Sequence, residues 1–299
     1  MRQACLVADS PRIAVLIPCF NDGATLGETV RSAREQEPCE IAVADDGSTD
    51  PATLEVLEGL ASDGILVLRQ ANAGSSAARN AAAEATTAPY VFPIDADDRL
   101  LPHRLSALAD QLDASPQLTL VWGRYRTFGE RERERSVAET LDPWSITYYQ
   151  DIPASFMVRR EALRAAGGWK LRGFESWELL CALAALGCEG RGFDTLIYEY
   201  RLHGPRKLDQ MLGRYDELHG EMRALHPNLF AQRRANRRRS PAPRLLKVAV
   251  PLIDSLPIHG WTKHRLWSAV GHVAYRRGGY GRIALRLLRK TIPSRPARM

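Results

Sequence analysis

Tyr90-Val-Phe-Pro-Ile-Asp-Ala-Asp-Asp98 carries an apolar run directly into three carboxylates within four residues. An apolar run without polar alternation is what a strand covered on both faces requires. Carboxylates this close repel one another, so the cluster is costly unless a cation or hydrogen-bond donors balance it. The combination predicts a divalent metal carrying phosphates at the end of a buried strand. A second acidic pair, Asp45-Asp46, follows another such run, Ile41 to Ala44, and supports that reading.

Upstream, short apolar runs alternate with helical patterns. Ile13-Ala-Val-Leu-Ile17 reads as a strand and Asn21-Asp22-Gly23 as a turn. Thr25 and Glu28 have the spacing of a capping box, followed by Leu26, Val30 and Ala33 at helical intervals. Ser48, Thr49 or Asp50 can cap a helix with Pro51 at its first position. Ile65 to Leu68 reads as a strand, and Asn72-Ala73-Gly74 turns the chain into an alanine-rich helix from Ser75. Alternation at this period predicts an α/β fold with a Rossmann-like, mostly parallel sheet covered by helices. Ligands of such sheets lie beyond the carboxyl ends of the strands. Pro18 to Asp22, Asp45-Asp46 and Asp95 to Asp98 all fall at such ends and are expected to share one crevice. No Walker loop or GxGxxG follows the first strand, which disfavours a mononucleotide kinase or a dinucleotide dehydrogenase. Phosphate would instead be held by metal on Asp97 and by Arg79, one turn into the alanine-rich helix.

The 299 residues are 45% hydrophobic and 25% charged, the composition of an ordinary globular chain. No stretch approaches the roughly 20 apolar residues of a membrane span, and Ala4 to Ala8 is too short for a signal peptide. Five scattered cysteines without a CxxC pair read as reduced thiols. These features point to a cytoplasmic protein. Residues 230–299 hold 17 of the 41 Lys/Arg but one acid, Asp254, leaving 24 bases and 34 acids elsewhere. A domain boundary is therefore expected between 229 and 230.

Four segments in series resemble the family-2 glycosyltransferases with the GT-A fold. Val15-Leu-Ile-Pro-Cys-Phe-Asn21 is similar to the family's opening strand and nucleotide loop, which implies donor contacts from Pro18, Cys19, Phe20 and Asp22. Val43-Ala-Asp-Asp-Gly-Ser-Thr-Asp50 resembles the second signature, in which the latter acid, Asp46, contacts the base. Asn72-Ala-Gly-Ser-Ser-Ala-Ala-Arg-Asn80 resembles the segment whose arginine, Arg79, lies near the sugar donor. Asp95-Ala-Asp-Asp98 resembles the metal motif, with Asp97 the principal ligand and Asp95 on the ribose or donor sugar. Tyr200-Arg-Leu-His203 resembles a later element that brings a histidine, His203, to the metal or diphosphate.

The resemblance implies an inverting transfer from a nucleotide-diphosphate sugar, UDP-linked in the simplest case, to an acceptor hydroxyl. Mn²⁺ or Mg²⁺ would neutralise the departing diphosphate, and an imidazole ligand favours Mn²⁺. The acceptor, whether glycan, lipid-linked or a small molecule, is left open. Relatives carry a Glu-Asp pair whose Asp is the general base; here Phe174-Glu-Ser-Trp-Glu178 places Ser176 at that position, and a hydroxyl cannot accept a proton as a carboxylate does. Glu175 is the adjacent substitute, Glu178 a second, and an acidic acceptor that needs no strong base a third alternative. Trp169 and Trp177 are expected on the acceptor side, or else in the core. Two rivals follow: a sugar-nucleotide-binding protein impaired in catalysis, and a nucleotidyltransferase, which would normally carry a glycine- and basic-rich loop after the first strand.

Residues 230–299 should form Pro-interrupted basic helices. Leu266, Val270 and Val273 beside Trp267, and Arg282, Arg286, Arg289 and Lys290 opposite Leu287 and Leu288, suit an anionic membrane at the inner face. Packing on the catalytic domain or a partner chain is the alternative. Nucleic acid is disfavoured because no recognisable binding module accompanies the charge.

Overall fold

The apolar runs that open the chain become the parallel half of one sheet. The computed structural model describes residues 10–135, 137–204, 211 and 213–274. It divides into two compact units, Met1–Leu141 with Ile152–Gly204, and Asp142–Asp151 with Pro205–Met299.

In the first unit β1 (Ile13–Cys19), β2 (Glu40–Asp45), β3 (Leu66–Arg69) and β4 (Tyr90–Pro93) run parallel in the order β3-β2-β1-β4. Every residue of β1 and β4 is buried, which is why both read as unbroken apolar runs. The crossovers are α1 (Gly23–Arg34), α2 (Pro51–Ser62) and α3 (Ser75–Glu84). On one side, Leu26 and Val30 of α1 and Leu105, Leu108 and Leu112 of α4 (Leu105–Ala114) form a buried cluster with Ile13, Val15, Ile17 and Phe92. Each such side chain contributes roughly 1.5–3 kcal/mol over leaving it in water. The helix α3 instead brings alanines, Ala78 and Ala82, against β1 and β2, whose Ala14, Ala42 and Ala44 are equally buried. Small side chains on both partners let this helix lie close to the sheet.

The rest of the sheet is mixed. It comprises β5 (Arg99–Leu100), β6 (Leu118–Gly129), β7 (Arg133–Arg135), β8 (Met157–Arg159) and β9 (Glu189–Leu202). The short β8 runs antiparallel between β4 and β6, and β6 pairs in parallel with β9. The antiparallel strands β5 and β7 flank β9 and β6. Two further helices, α5 (Arg160–Ala166) and α6 (Glu175–Ala185), complete the unit.

Local expectations fare unevenly. Asp50 caps α2 as expected, accepting from Thr53 N at 3.0 Å with Pro51 in the first turn. The Thr25–Glu28 capping box does not form. The α1 helix starts at Gly23, and Glu28 instead bonds Arg99 (2.8 Å) and Arg201. Two charge-assisted bonds to guanidinium outcompete one backbone N–H.

The second unit gathers Asp142–Asp151 with α7 (Tyr215–Leu225), α8 (Pro227–Ala231), α9 (Arg233–Arg239), α10 (Arg244–Asp254) and α11 (Gly260–Ala274). Its boundary falls after Gly204 instead of at 229/230. The change in charge marks a change of surface, whereas membership follows the buried Tyr215, Leu218, Met222, Leu229 and Phe230. Trp267, expected on an outward stripe, is 1% exposed, meets Tyr148 edge-on at 5.3 Å and donates to Val250 O at 3.2 Å. Of the stripe beside it, Leu266 and Val270 are half-buried and Val273 is exposed. The second basic stripe, Arg282 to Lys290, lies outside the described residues. No helix among those described is long and apolar enough to cross a membrane.

Candidate active site

The carboxyl ends of β1, β2, β4 and β9 supply the polar side chains of one rim. After β1, Asn21 adopts a left-handed conformation (φ 58°), tolerated because its short amide bonds the backbone nearby. Its Oδ1 accepts from Thr49 N (2.9 Å) and Asp50 N (3.0 Å), and its own N–H donates to Ser48 Oγ (2.9 Å). The loops after β1 and β2 are thus fixed to each other. Phe20 stands at this rim 45% exposed, whereas Pro18 and Cys19 are buried strand residues.

Asp46 is 4% exposed and bonded by three donors. It accepts from Gln70 Nε2 (2.7 Å), Ala73 N (2.8 Å) and Gly74 N (2.7 Å). An ionised carboxylate offers about four acceptor sites, so its principal work is to shape the turn that starts α3. Gly74 in that turn has φ 95°, and a Cβ there would lie 2.7 Å from Arg172 Nε; glycine meets both demands.

Asp95, Asp97 and Asp98 follow β4 with ligand oxygens all within 4.8 Å of one another. Burial, then the charge of Asp95, pushes the Asp97 carboxyl above its usual range, with His203 opposing. His203 Nε2 lies 2.9 Å from Asp97 Oδ2. Asp98 is buried and raised well above the normal range by desolvation and by its two neighbours. Asp22 is raised by burial and by the charges of Asp97 and Asp95, which places it in the same field. The crowding of four acids beside one imidazole, one guanidinium and the Arg201 guanidinium that Glu28 shares leaves negative charge in excess. Clustered hard carboxylate oxygens of this kind fit Mn²⁺ or Mg²⁺.

The first of these guanidiniums is Arg79. It is 7% exposed and binds Asp95 Oδ1 at 2.5 Å, but its Nε and Nη1 are buried with no partner. Such orphaned donors are rare and costly in a folded protein. A further basic residue, Arg201, is not singled out by the sequence reading. Its N–H bonds Asp98 Oδ1 (2.9 Å), its Nε bonds Asp97 O (2.7 Å), and its Nη2 binds Glu28. The available signal is the alternation in Tyr198-Glu-Tyr-Arg201, which puts Glu199 and Arg201 on one face of β9.

On the other side of α3, the loop 167–175 is tied to the helix. Ser76 Oγ donates to Leu171 O (2.5 Å), Asn80 bonds Trp169 O (2.8 Å) and N (3.0 Å), and Ser75 Oγ donates to Glu175 Oε1 (2.5 Å). This brings Glu175 to the start of α3. Ser176 donates its hydroxyl to Ala154 O (2.9 Å). Glu178 is 0% exposed and accepts from Lys170 N (3.3 Å). Trp169 and Trp177, 2% and 1% exposed, pack in the core and offer no open ring face to a sugar.

An acidic rim at the carboxyl ends of a mostly parallel sheet, beside an arginine with two unpartnered nitrogens, is chemically able to receive a cation together with an anion. Comparison with known proteins gives the particulars. The family model described as glycosyl transferase family 2 matches residues 14–167, and the chain belongs to that family. The uncharacterized glycosyltransferase YibD of Escherichia coli is 35% identical over 113 residues, covering 35% of this chain and 33% of YibD. The succinoglycan biosynthesis protein ExoU of Rhizobium meliloti is 36% identical over 104 residues, covering 33% of this chain and 30% of ExoU. The aligned part thus spans about a third of either relative. The S. aureus TarS 1–349 structure in complex with UDP-GlcNAc superposes with a TM-score of 0.56 at 14% identity, covering 90% of this chain and 75% of that one. That likeness establishes the GT-A fold.

Proposed function

We propose that the chain transfers a glycosyl group, with inversion, from a nucleoside-diphosphate sugar to an acceptor hydroxyl during assembly of a polysaccharide. UDP is the nucleotide we favour, because the TarS structures of the same fold include complexes with UDP and UDP-GlcNAc. The observation that carries the reading is the pairing of an undercompensated carboxylate cluster with buried, unpartnered donors on Arg79. A metal–diphosphate brings the two charges each side lacks.

In this reading Asp97 and Asp95, with His203, would hold Mn²⁺ or Mg²⁺, which supplies neutralising charge to the leaving diphosphate. Arg79 directs Nε and Nη1 to the donor while Asp95 orients its guanidinium. Asp46 positions the α3 turn and has one lone pair left for a base N–H. Asp22 and Phe20 border the nucleotide. Glu175 is the general base: it is the carboxylate beside the α3 terminus, and the hydroxyl of Ser176 is already committed to Ala154 O. The similarity to ExoU, a succinoglycan biosynthesis protein, supports a polysaccharide as the product.

Release of UDP from a panel of UDP-sugars, with and without Mn²⁺, tests the proposal. Asp97→Asn should abolish metal-dependent donor binding; unchanged affinity would remove the metal assignment. Glu175→Gln should cut transfer about 10²–10⁴-fold with donor affinity retained. Full transfer by that variant would return the base to another group.

A further inference from the structure

We infer that the hairpin of α10 and α11 in the second unit docks on an anionic lipid bilayer. It does so with an apolar face made by Leu245, Val248 and Leu252 and continued at the hairpin tip by Leu256, Ile258 and Trp261. The inference concerns a surface of the helical unit and stands independently of the proposed reaction.

The helix α10 carries more apolar side chains than its packing uses. Leu246 and Val250 are 0% exposed and form the inward stripe. At helical spacing, Leu245, Val248 and Leu252 fall together on the neighbouring arc, and they are 50%, 55% and 62% exposed. The chain leaving the helix continues the pattern, with Leu256 at 44%, Ile258 at 37% and Trp261 at 39%. Scattered exposed apolar residues need no explanation, whereas a contiguous group marks an interaction site. Six of the eleven large apolar side chains exposed among the described residues fall within residues 245–261. This face is not the one that hydropathy spacing around Trp267 suggests, because Trp267 is internal.

Charge selects the occupant. Asp254, the one acid of residues 230–299, lies 3.5 Å from Arg233 and is neutralised by it. Arg234, Arg238, Arg239 and Arg244 are exposed, and the Arg265 guanidinium sits over the Trp261 ring at 5.4 Å. An indole at the apolar tip with a guanidinium beside it suits the boundary between acyl chains and headgroups. A second copy of the chain would set the same basic surface against itself. Nucleic acid would satisfy the arginines but leave the apolar arc in water. An anionic bilayer satisfies both, and its attraction grows with each basic residue near its surface.

Trp261 also supplies the probe. The other five tryptophans, Trp122, Trp144, Trp169, Trp177 and Trp267, are at most 2% exposed. The full chain is mixed with phosphatidylcholine vesicles containing about one quarter phosphatidylglycerol, brominated on the acyl chains, and with phosphatidylcholine alone. Tryptophan emission should be quenched by the anionic brominated vesicles only. The quenching should vanish in Trp261→Phe while co-sedimentation persists. The combined Leu245→Gln, Val248→Gln and Leu252→Gln variant should partition at least about tenfold more weakly, with unchanged unfolding temperature and UDP binding. Absence of partitioning overturns the inference, as does partitioning that the triple variant leaves intact. A dimer in light scattering that the triple variant dissolves would reassign the face to self-association.

Discussion

Arg79 and Arg233 are both withdrawn from water, yet their surroundings differ. Arg233, in the helical unit, donates from Nε to Thr147 Oγ1 (2.9 Å) and from Nη2 to Thr147 O, and its Nη1 faces Asp254 at 3.5 Å. The rings of Tyr148 and Phe230 lie 3.9 and 4.7 Å from its guanidinium carbon. Each of its three nitrogens has a partner and two aromatic rings lie near it. Arg79, at the sheet rim, has one partner and two buried nitrogens without any. A charge whose nitrogens all have partners is architecture; a withdrawn charge with donors left over is a candidate to meet a ligand.

The sharpest way to break this contrast is to remove each arginine. Arg233→Met should lower the unfolding free energy by about 1–3 kcal/mol, the effect of leaving the Thr147 carbonyl and hydroxyl without a donor and a partly exposed Asp254 without its counter-charge. Arg79→Met should change stability by no more than about 1 kcal/mol, since it also removes two unsatisfied donors, yet it should weaken UDP-sugar binding. Urea unfolding and calorimetric titration measure the two quantities. Equal stability losses would show that the rim arginine is structural as well.

Acidification sharpens the contrast within the helical unit. Burial lowers His219 from 6.5 to about 4 while its Nε2 faces Thr147 O at 3.0 Å. Half-buried His264 is lowered to about 4 by burial and by His219. A histidine held neutral gives its full stabilisation above about pH 7, and this is lost as pH falls from 6.5 to 4. Asp151 works in the opposite sense. Burial and the charge of Asp142 raise it to about 7, so its contribution is full below pH 3.8 and lost as pH rises to 7. The wild-type curve is therefore shallow, and the diagnostic quantity is the difference from His219→Gln. That variant can still donate to Thr147 O. It should gain up to about 3 kcal/mol over the wild type as pH falls to 4, relative to their difference above pH 7. A difference that does not vary with pH would exclude a buried neutral imidazole.

What the sequence disclosed follows the range of the interactions involved. The strands β1, β2 and β4 were readable because a strand covered on both faces must be apolar throughout, and the Asp50–Pro51 cap because its chemistry is local. The ends of parallel strands were readable as a rim, and Asp22 does lie in the field of Asp95 and Asp97, whereas Asp46 is bonded into the turn that starts α3. Glu28 was misread because its partners, Arg99 and Arg201, are 71 and 173 residues away. Trp267 was misplaced for a related reason. Periodicity identifies an apolar face but not which of two faces a neighbour covers. On α10 that ambiguity is largest, because the apolar arc is wider than the stripe that packs.

The smallest expected effect concerns Ser176, where local chemistry and family pattern disagree. Its hydroxyl donates to Ala154 O at 2.9 Å, within a residue 8% exposed. Ser176→Ala removes that bond but leaves no charge behind, so the stability cost should be about 1 kcal/mol. Transfer should fall by no more than about threefold, far less than the general-base contribution of about 10²–10⁴ expected at Glu175. Ser176→Asp, which would supply the carboxylate of the family's Glu-Asp pair, should instead be destabilising, because an ionised oxygen would face the Ala154 carbonyl and have no donor there. Transfer rates and unfolding curves of the two variants decide the matter together. An active, stable Ser176→Asp variant with raised turnover would show that the loop accepts the family's base after all, and that Glu175 serves only to hold Ser75.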